Sequence, residues 1–389
     1  MSHDSWELPE ELRLMRDTTR RFMQSEVKPL EDKLSHDAYE LARDDLLPLQ
    51  QKARDIGLWC VRTPSEYGGA GLSLLGQAVF AEEAARCRMG AYVPGCGAFG
   101  ADPPNAIYLG SQYQIDKYAV PAASVGKKVY VAISESSGGA DPARSIRTRA
   151  TRKDGRYVLN GTKMWITGAD GADWGLVFAR TGEQGDRGGI TCFIVNGVPK
   201  GMTINPIPVI RSYSPYEVHF DNVEIPEEDR LGEEGKGFAV CEKWLVEGRV
   251  PYAAGTIGIA QAALEMAIEW ARERETFRSK LADKQAIQWM IADSEMELRA
   301  ARLLTYQAAW QGDLGRDLKV DSSIAKVIAT ETAGRVVDRC IQIFGGLGVS
   351  QELPLERWYR ELRIKRIGEG PSEVHRMVLA RSLLGAPGR

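Results

Sequence analysis

Hydrophobic positions along the chain change their period twice. From Leu8 to about Gly126 they recur at helical spacing, as with Leu12, Met15, Phe22 and Met23, and Pro9 sits where a first helical turn tolerates it. Further helical runs are predicted over 38–56 and 72–88. Between them, Pro64-Ser-Glu-Tyr-Gly-Gly-Ala-Gly71 is rich in turn formers. It lacks the third glycine of a nucleotide loop, where Leu74 stands, and no strand precedes it, so it reads as a helix-to-helix connection.

From Lys127 to about Pro226 the pattern shortens to strands: Val129–Ile133, Tyr157–Asn160, Trp174–Ala179, Ile190–Val195, Met202–Ile204 and Glu217–Phe220. Lys153-Asp154-Gly155 and Asn160-Gly161 are the turn signals between them. Strands without intervening helices predict an antiparallel barrel or sandwich and exclude a doubly wound dinucleotide-binding sheet. From Gly237 onward the helical period returns over 238–275, 284–311 and 321–344. Gly315 marks a break, Asp321 or Ser322 is the expected cap of the third helix, and Ala260, Ala263 and Ala267 predict close helix packing. The expected fold is α+β, mainly α. It comprises an N-terminal helical domain (1–126), a middle antiparallel β-barrel or sandwich domain (127–235) and a C-terminal four-helix-bundle domain (236–389).

Composition narrows the function classes. With 389 residues, 26% of them charged, and a net charge of -3, the chain has room for two or three domains and no polyanion-binding surface, so nucleic acid is not an expected partner. Cys60, Cys87, Cys96, Cys192, Cys241 and Cys340 are scattered without a CxxC pair, and His3, His36, His219 and His375 show no ligand grouping. Buried free thiols are expected, with no metal. The N-terminus lacks the basic and apolar regions of a signal peptide, and no apolar run reaches the ~18 residues of a membrane span, so a cytoplasmic protein is expected. Trp244, Trp270, Trp289, Trp310 and Trp358 fall in helical stretches and are assigned to packing.

One stretch carries candidate chemistry, Arg366-Ile-Gly-Glu-Gly-Pro-Ser-Glu-Val-His375. Glu369 lies between Gly368 and Gly370, just ahead of a helix that Pro371 opens. Bare backbone on both sides lets a flat ligand approach the carboxylate, as a general base requires.

Several further motifs stand in order along the chain. Val131-Ala-Ile-Ser-Glu-Ser-Ser-Gly-Gly-Ala-Asp141 and Leu159-Asn-Gly-Thr-Lys-Met-Trp-Ile-Thr167 are the first two. Arg274-Glu-Thr-Phe277 with Gln285, Gln342-Ile-Phe-Gly-Gly-Leu-Gly348, the helix Arg357 to Arg363 and the stretch around Glu369 complete the set. Over nearly its whole length the chain resembles the acyl-CoA dehydrogenase family. The resemblance implies FAD as cofactor and desaturation of an acyl-CoA, Glu369 abstracting the α-proton while the β-hydride passes to flavin N5. Electrons would then go to an electron-transfer flavoprotein. It also implies a homo-oligomer, tetramer or dimer, since the family's flavin is shared between subunits.

Residue by residue, the resemblance assigns Ala132, Ile133, Ser134, Trp165, Ile166 and Thr167 to the flavin ring. Arg274, Phe277 and Gln285 go to the pyrophosphate and adenine, Gln342, Gly345 and Gly346 to a loop approaching the dinucleotide, and Pro371 and Glu373 to its remaining contacts. Ala140, Arg249, Gly368 and Gly370 fall on the substrate side, with Arg249 supporting the loop that bears the base or the CoA. Glu247 is the competing base, because some relatives place theirs on that helix. His375 is read as structural or as a flavin-phosphate neighbour.

Departures from the family pattern sharpen the expectation. Val131, Ser136 and Ala140 replace an aromatic, a proline and a serine, and Pro371 replaces a threonine after the base. Gly368, as in isovaleryl-type members, is expected to open space for an acyl group that is branched, cyclic or bulky near the thioester. Four alternatives share or leave the scaffold: an acyl-CoA oxidase, an enoyl-CoA reductase, a desulfinase-like lyase, and a non-catalytic scaffold binding CoA or a partner protein.

Overall fold

The computed structural model describes residues 7–183 and 188–385; His3 lies outside them. Within those residues the chain divides into two compact units. One takes the residues up to Leu58, Leu72–Phe99 and those from Glu247 onward; the other takes Trp59–Gly71 and Gly100–Val246.

The first unit is helical. Its N-terminal helices are Glu10–Phe22, Arg43–Asp55 and Leu74–Ala84. The three long helices predicted from the period are Gly237–Glu273, which enters this unit at Glu247, Gln285–Asp313 and Lys319–Phe344, followed by Leu355–Lys365 and Ser372–Leu383. The 319–344 helix starts earlier than its expected cap. Asp321 and Ser322 lie inside it, and the Asp317 carboxylate accepts the Lys319 N–H at 3.0 Å. Gly315, at φ +71°, ends the preceding loop turn as expected.

Alanines make the core of this unit thin and tight. Ala253, Ala260, Ala263 and Ala267 meet Ala301 and Ala308 of the 285–313 helix and Ala325, Ala329 and Ala333 of the 319–344 helix. At Gly258 the approach is closest: a Cβ there would lie 1.9 Å from the Glu82 carbonyl oxygen. The Glu82 carboxylate in turn accepts from Arg302 at 2.7 Å and from the Tyr306 hydroxyl at 2.8 Å, so three helices are registered at one point.

The second unit is built on one sheet of β1 (Val129–Ala132), β2 (Arg149–Lys153), β3 (Arg156–Ile166), β4 (Trp174–Arg180), β5 (Ile190–Asn196), β6 (Met202–Pro206), β7 (Tyr216–Pro226) and β8 (Arg230–Leu231). Their order is β6-β7-β3-β2-β4-β5-β8, with β1 paired to β4. The sheet is open at β6 and β8, so the barrel of the sequence reading is not closed. It is mainly antiparallel, but β1 pairs β4 in parallel and β2 meets β4 in parallel at Arg149 and Arg180.

Strands β4 and β5 are buried on both faces. Trp174, Leu176, Phe178, Ile190, Cys192 and Ile194 pack with Ile107, Tyr118 and Ala119 on one side, whereas Val177, Ala179, Phe193 and Val195 pack with Tyr157 and Leu159 on the other. This is why they read as unbroken apolar runs. Strand β2 escaped the sequence reading because only Ala150 of its five residues is buried.

The two turn signals part company. Asp154 and Gly155 both take positive φ and turn β2 into β3, as expected. Asn160-Gly161 is not a turn: it lies inside β3 at a register shift, and a Cβ on Gly161 would sit 2.6 Å from Thr148 Cα. The glycine there marks a bulge and a close backbone approach.

Candidate active site

Glu369 sits between the 355–365 and 372–383 helices in a left-handed conformation, φ +54°, followed by Gly370 at φ +97°. Such a backbone costs a non-glycine residue roughly 1–3 kcal/mol and persists only where its surroundings hold it. Side chains from three helices hold it here. Arg249 Nε donates to the Glu369 carbonyl at 3.2 Å, and His375 Nε2 lies 3.3 Å from the same oxygen. Lys326 Nζ donates to the carbonyls of Arg366 at 3.2 Å and Gly370 at 2.7 Å, bracketing the residue. Glu369 Oε2 is shielded from solvent.

These groups were chosen by burial. His375 Nδ1 pairs with the Ser323 hydroxyl at 3.0 Å, and desolvation with the nearby Arg249 and Lys326 charges pushes its imidazole down to about 4, so it is neutral at pH 7. Lys326 has no exposed surface; burial lowers its ammonium to about 8 against the pull of Glu369. Pro371 takes the cap position, with the helix beginning at Ser372, and Glu373 is exposed in the first turn.

At Gly368 the Tyr252 hydroxyl lies 3.0 Å from where a Cβ would be, so the phenol stands beside the space that the missing side chain leaves. That hydroxyl donates to the Lys365 carbonyl at 3.3 Å, and the Lys365 ammonium lies over the rings of Tyr252 (3.9 Å) and Tyr92 (4.5 Å). Glu247 is partly buried on the 237–273 helix.

The predicted flavin residues of the sheet unit converge at the end of β1 and β3. Glu135 is buried and accepts from the N–H groups of Arg147 (2.7 Å) and Thr148 (3.0 Å) and from Lys163 Nζ (2.8 Å), which also donates to the Ile133 carbonyl at 3.0 Å. Burial opposes the charge on both partners. It takes Lys163 down to about 8, while the Lys163 ammonium and the N–H donors still hold Glu135 below its ordinary range.

This buried pair ties the 131–141 signature to β3, and Met164 N–H completes the tie by donating to the Ser134 carbonyl at 2.9 Å. The register of β3 then slips between Lys163 and Ile166, Trp165 takes φ +66°, and its indole turns outward, 54% exposed. Ala132 and Ile166 are buried; the Thr167 hydroxyl accepts from Arg211 at 3.0 Å. Ala140 is exposed in a bend and brings no polar group.

The predicted dinucleotide contacts of the helical unit all lie at its surface. Arg274 lies over the Trp270 ring, Phe277 is 93% exposed at φ +51°, Gln285 opens its helix, and Gln342, Gly345 and Gly346 are exposed at the end of the 319–344 helix. Trp165, Phe277 and Glu369 are three of the eight non-glycine residues with positive φ among those described. Three residues that the motifs had singled out for chemistry thus carry backbone strain.

Other candidates resolve as structure. His36 pairs with Glu356 and His219 with Thr162 at 2.9 Å. All six cysteines are buried. Glu31, Cys87 and Cys96 form one close buried group, in which Cys96 Sγ donates to Glu31 Oε1 at 3.6 Å; the neighbouring Cys87 thiol and burial raise the Cys96 thiol far above its ordinary value. Trp358 and Trp270 pack as expected, but Trp289 and Trp310, assigned to packing, are 61% and 46% exposed. Lys326, Tyr252, Lys365 and Ser323 were not anticipated. Their one sequence signal was a lysine on the buried phase of a helix, between Ala325 and Val327.

Comparison with known proteins accounts for this arrangement. The chain matches the N-terminal domain of acyl-CoA dehydrogenase over residues 9–125, the middle domain over 131–223 and the C-terminal domain over 235–384. The short-chain specific acyl-CoA dehydrogenase of Rattus norvegicus is 35% identical, over 98% of this chain and 92% of that protein. The 3-(aryl)acrylate reductase of Clostridium sporogenes is 35% identical, over 96% and 99%. Butyryl-CoA dehydrogenase from Megasphaera elsdenii superposes with a TM-score of 0.86 at 31% identity, covering 98% and 100%.

The chain belongs to the acyl-CoA dehydrogenase family. It is an FAD-dependent oxidoreductase of that family. The residues present fit the flavin: the sheet unit offers an outward indole with the Ser134 and Thr167 hydroxyls, and the helical unit offers a guanidinium and an exposed phenyl ring. At Gly345 and Gly346 a Cβ would meet nothing within 4 Å, which leaves the backbone approachable.

Proposed function

We propose that the chain desaturates an acyl-CoA thioester between Cα and Cβ, with Glu369 as the base that removes the α-proton. The observation that carries this reading is the left-handed Glu369 between two glycines, clamped through backbone carbonyls by Arg249, His375 and Lys326. A carboxylate fixed in this way keeps one geometry toward a substrate carbon, and positioned general bases contribute roughly 10²–10⁴-fold to rate. As the proton leaves, the thioester oxygen gains charge, and the backbone N–H of residue 369 is the donor this chain supplies to it. FAD, when bound at Ser134, Trp165 and Thr167, supplies the hydride acceptor. Electrons then pass to an electron-transfer flavoprotein.

The acyl group is sized by Tyr252 as much as by Gly368, since the phenol hydroxyl takes the glycine's room. A branched or ring-bearing acyl group remains our reading, with Tyr252 as the wall it meets. The working form is a homo-oligomer. Trp289, Met296, Leu303 and Trp310 recur every seven residues along the 285–313 helix and are 46–61% exposed, an apolar stripe of the kind that a second helix covers. Light scattering of the purified protein should give a dimer or tetramer; a monomer at micromolar concentration would remove this part of the reading.

The direct test is an anaerobic screen of acyl-CoA thioesters followed by loss of flavin absorbance. Glu369→Gln should retain FAD and lose bleaching by at least about 10²-fold; undiminished bleaching would move the base elsewhere. Linear butyryl-CoA outpacing every branched or aryl thioester would refute the acyl assignment. A second reading, reduction of an enoyl-CoA, is favoured by the similarity to the 3-(aryl)acrylate reductase. It predicts that reduced flavin is reoxidised faster by an enoyl thioester than by electron-transfer flavoprotein.

A further inference from the structure

Lys326 stands out because a fully buried ammonium has been placed where the fold had a simpler option. Its neighbours on the 319–344 helix at the same phase, Ser323, Ala329, Thr330 and Ala333, are small or uncharged, and an apolar residue would continue that face at lower desolvation cost. What the lysine gains is a pair of acceptors that no apolar residue reaches. These are the carbonyls of Arg366 and Gly370, one on each side of the strained residue. Neither acceptor is a carboxylate, so its positive charge is not neutralised by the groups it bonds.

We propose that Lys326 is the positioning residue of the base: its ammonium holds the two carbonyls that bracket Glu369 and biases the Glu369 carboxylate toward the ionised form that can accept a proton. The inference rests on Glu369 being the base. Two effects are combined in one side chain. The bracket fixes the left-handed turn, and the charge acts on the carboxylate through space, since the field of Glu369 is the strongest attraction that Lys326 experiences. By reciprocity the ammonium stabilises the carboxylate by the same interaction.

The charged groups that face Lys326 are Glu369 on the loop, Arg249 on the 237–273 helix, Glu331 on its own helix, and Glu373 and neutral His375 on the 372–383 helix. Arg376 and Arg366 engage Glu331, and among the charged groups Glu369 acts most strongly on Lys326. A neutral amine keeps N–H donors for the carbonyls but loses the charge.

The experiment compares wild type, Lys326→Met and Lys326→Arg, each loaded with FAD. The probe is whichever of butyryl-, isovaleryl- and 3-phenylpropionyl-CoA bleaches wild type fastest. Single-turnover bleaching is followed from pH 5.5 to 10, alongside amide hydrogen exchange over 366–370. In Lys326→Met the bleaching rate constant should fall about 10²-fold, the loss typical of a small misplacement of a catalytic group, with the thioester concentration at half-saturation changed less than threefold. Its acid limb should move to higher pH, and the loop amides should exchange faster.

Lys326→Arg keeps the charge, so it should retain the acid limb of wild type. Loop amides that exchange no faster in Lys326→Met than in wild type overturn the proposal, and so does a Lys326→Met profile parallel to wild type. Lys326→Gln takes the place of Lys326→Met in the comparison if that variant fails to fold. If no thioester bleaches wild type, the functional reading itself falls and takes this inference with it. If wild type bleaches and the variants match it, only the inference falls.

Discussion

The contact between Gly368 and Tyr252 can be measured as a coupling energy. A methyl group at residue 368 would lie 3.0 Å from the Tyr252 hydroxyl, a few tenths of an ångström inside ordinary contact. The phenol can retreat, but in doing so it weakens its 3.3 Å hydrogen bond to the Lys365 carbonyl and shifts a ring that lies 3.9 Å from the Lys365 ammonium. Overpacking of this kind costs about 1–3 kcal/mol, and loss of one neutral hydrogen bond about 0.5–1.5 kcal/mol. Against this, φ at Gly368 is not in the left-handed region, so alanine recovers about 0.4–1 kcal/mol from the unfolded chain.

Gly368→Ala should therefore be destabilising by about 1 kcal/mol in the wild-type background and neutral or stabilising in Tyr252→Phe, where the hydroxyl is gone. The coupling energy should be about 1–2 kcal/mol, read from urea denaturation of the four proteins in the cycle. In the same four proteins, Tyr252→Phe should raise the rate with branched or ring-bearing thioesters relative to linear ones, and Gly368→Ala should lower it. Equal destabilisation by Gly368→Ala in both backgrounds would show that the methyl meets something other than the hydroxyl, and the assignment of Tyr252 as the wall would fail.

Two further outcomes follow from packing and titration. Gly258→Ala drives a Cβ into the Glu82 carbonyl at 1.9 Å, where backbone must move, so it should cost at least about 1–3 kcal/mol and lower Tm by several degrees in a thermal melt. For His375, the unfolded chain takes up a proton near 6.5 and the folded one only near 4. Its contribution to stability is complete above pH 6.5 and is lost as pH falls toward 4. Between pH 7 and 5 the urea midpoint of wild type should therefore drop more than that of His375→Gln.

Much of the molecule was legible from local pattern. Periods of three to four residues placed the long helices within a few residues of their ends, because an amphipathic or all-apolar helix writes its burial into its spacing. The Gly-Glu-Gly triplet marked Glu369 as a candidate, because a flexible backbone flanking a carboxylate is visible in any sequence, and the motifs elsewhere in the chain made it the expected base. Turn chemistry was less dependable. Asp154-Gly155 and Asn160-Gly161 look alike as dipeptides, yet one reverses the chain and the other bends a strand over Thr148, a difference decided by what packs alongside.

Only the tertiary structure decided how the base is held. Lys326, Ser323 and Tyr252 come from segments tens of residues away in sequence, and nothing in their local spacing says which group each will meet. The same holds for the sheet: polar β2 and the parallel seat of β1 on β4 are set by neighbours, since strand pairing is a long-range choice that side-chain alternation does not encode. Periodicity reports which face of an element is buried; what it is buried against depends on the rest of the chain.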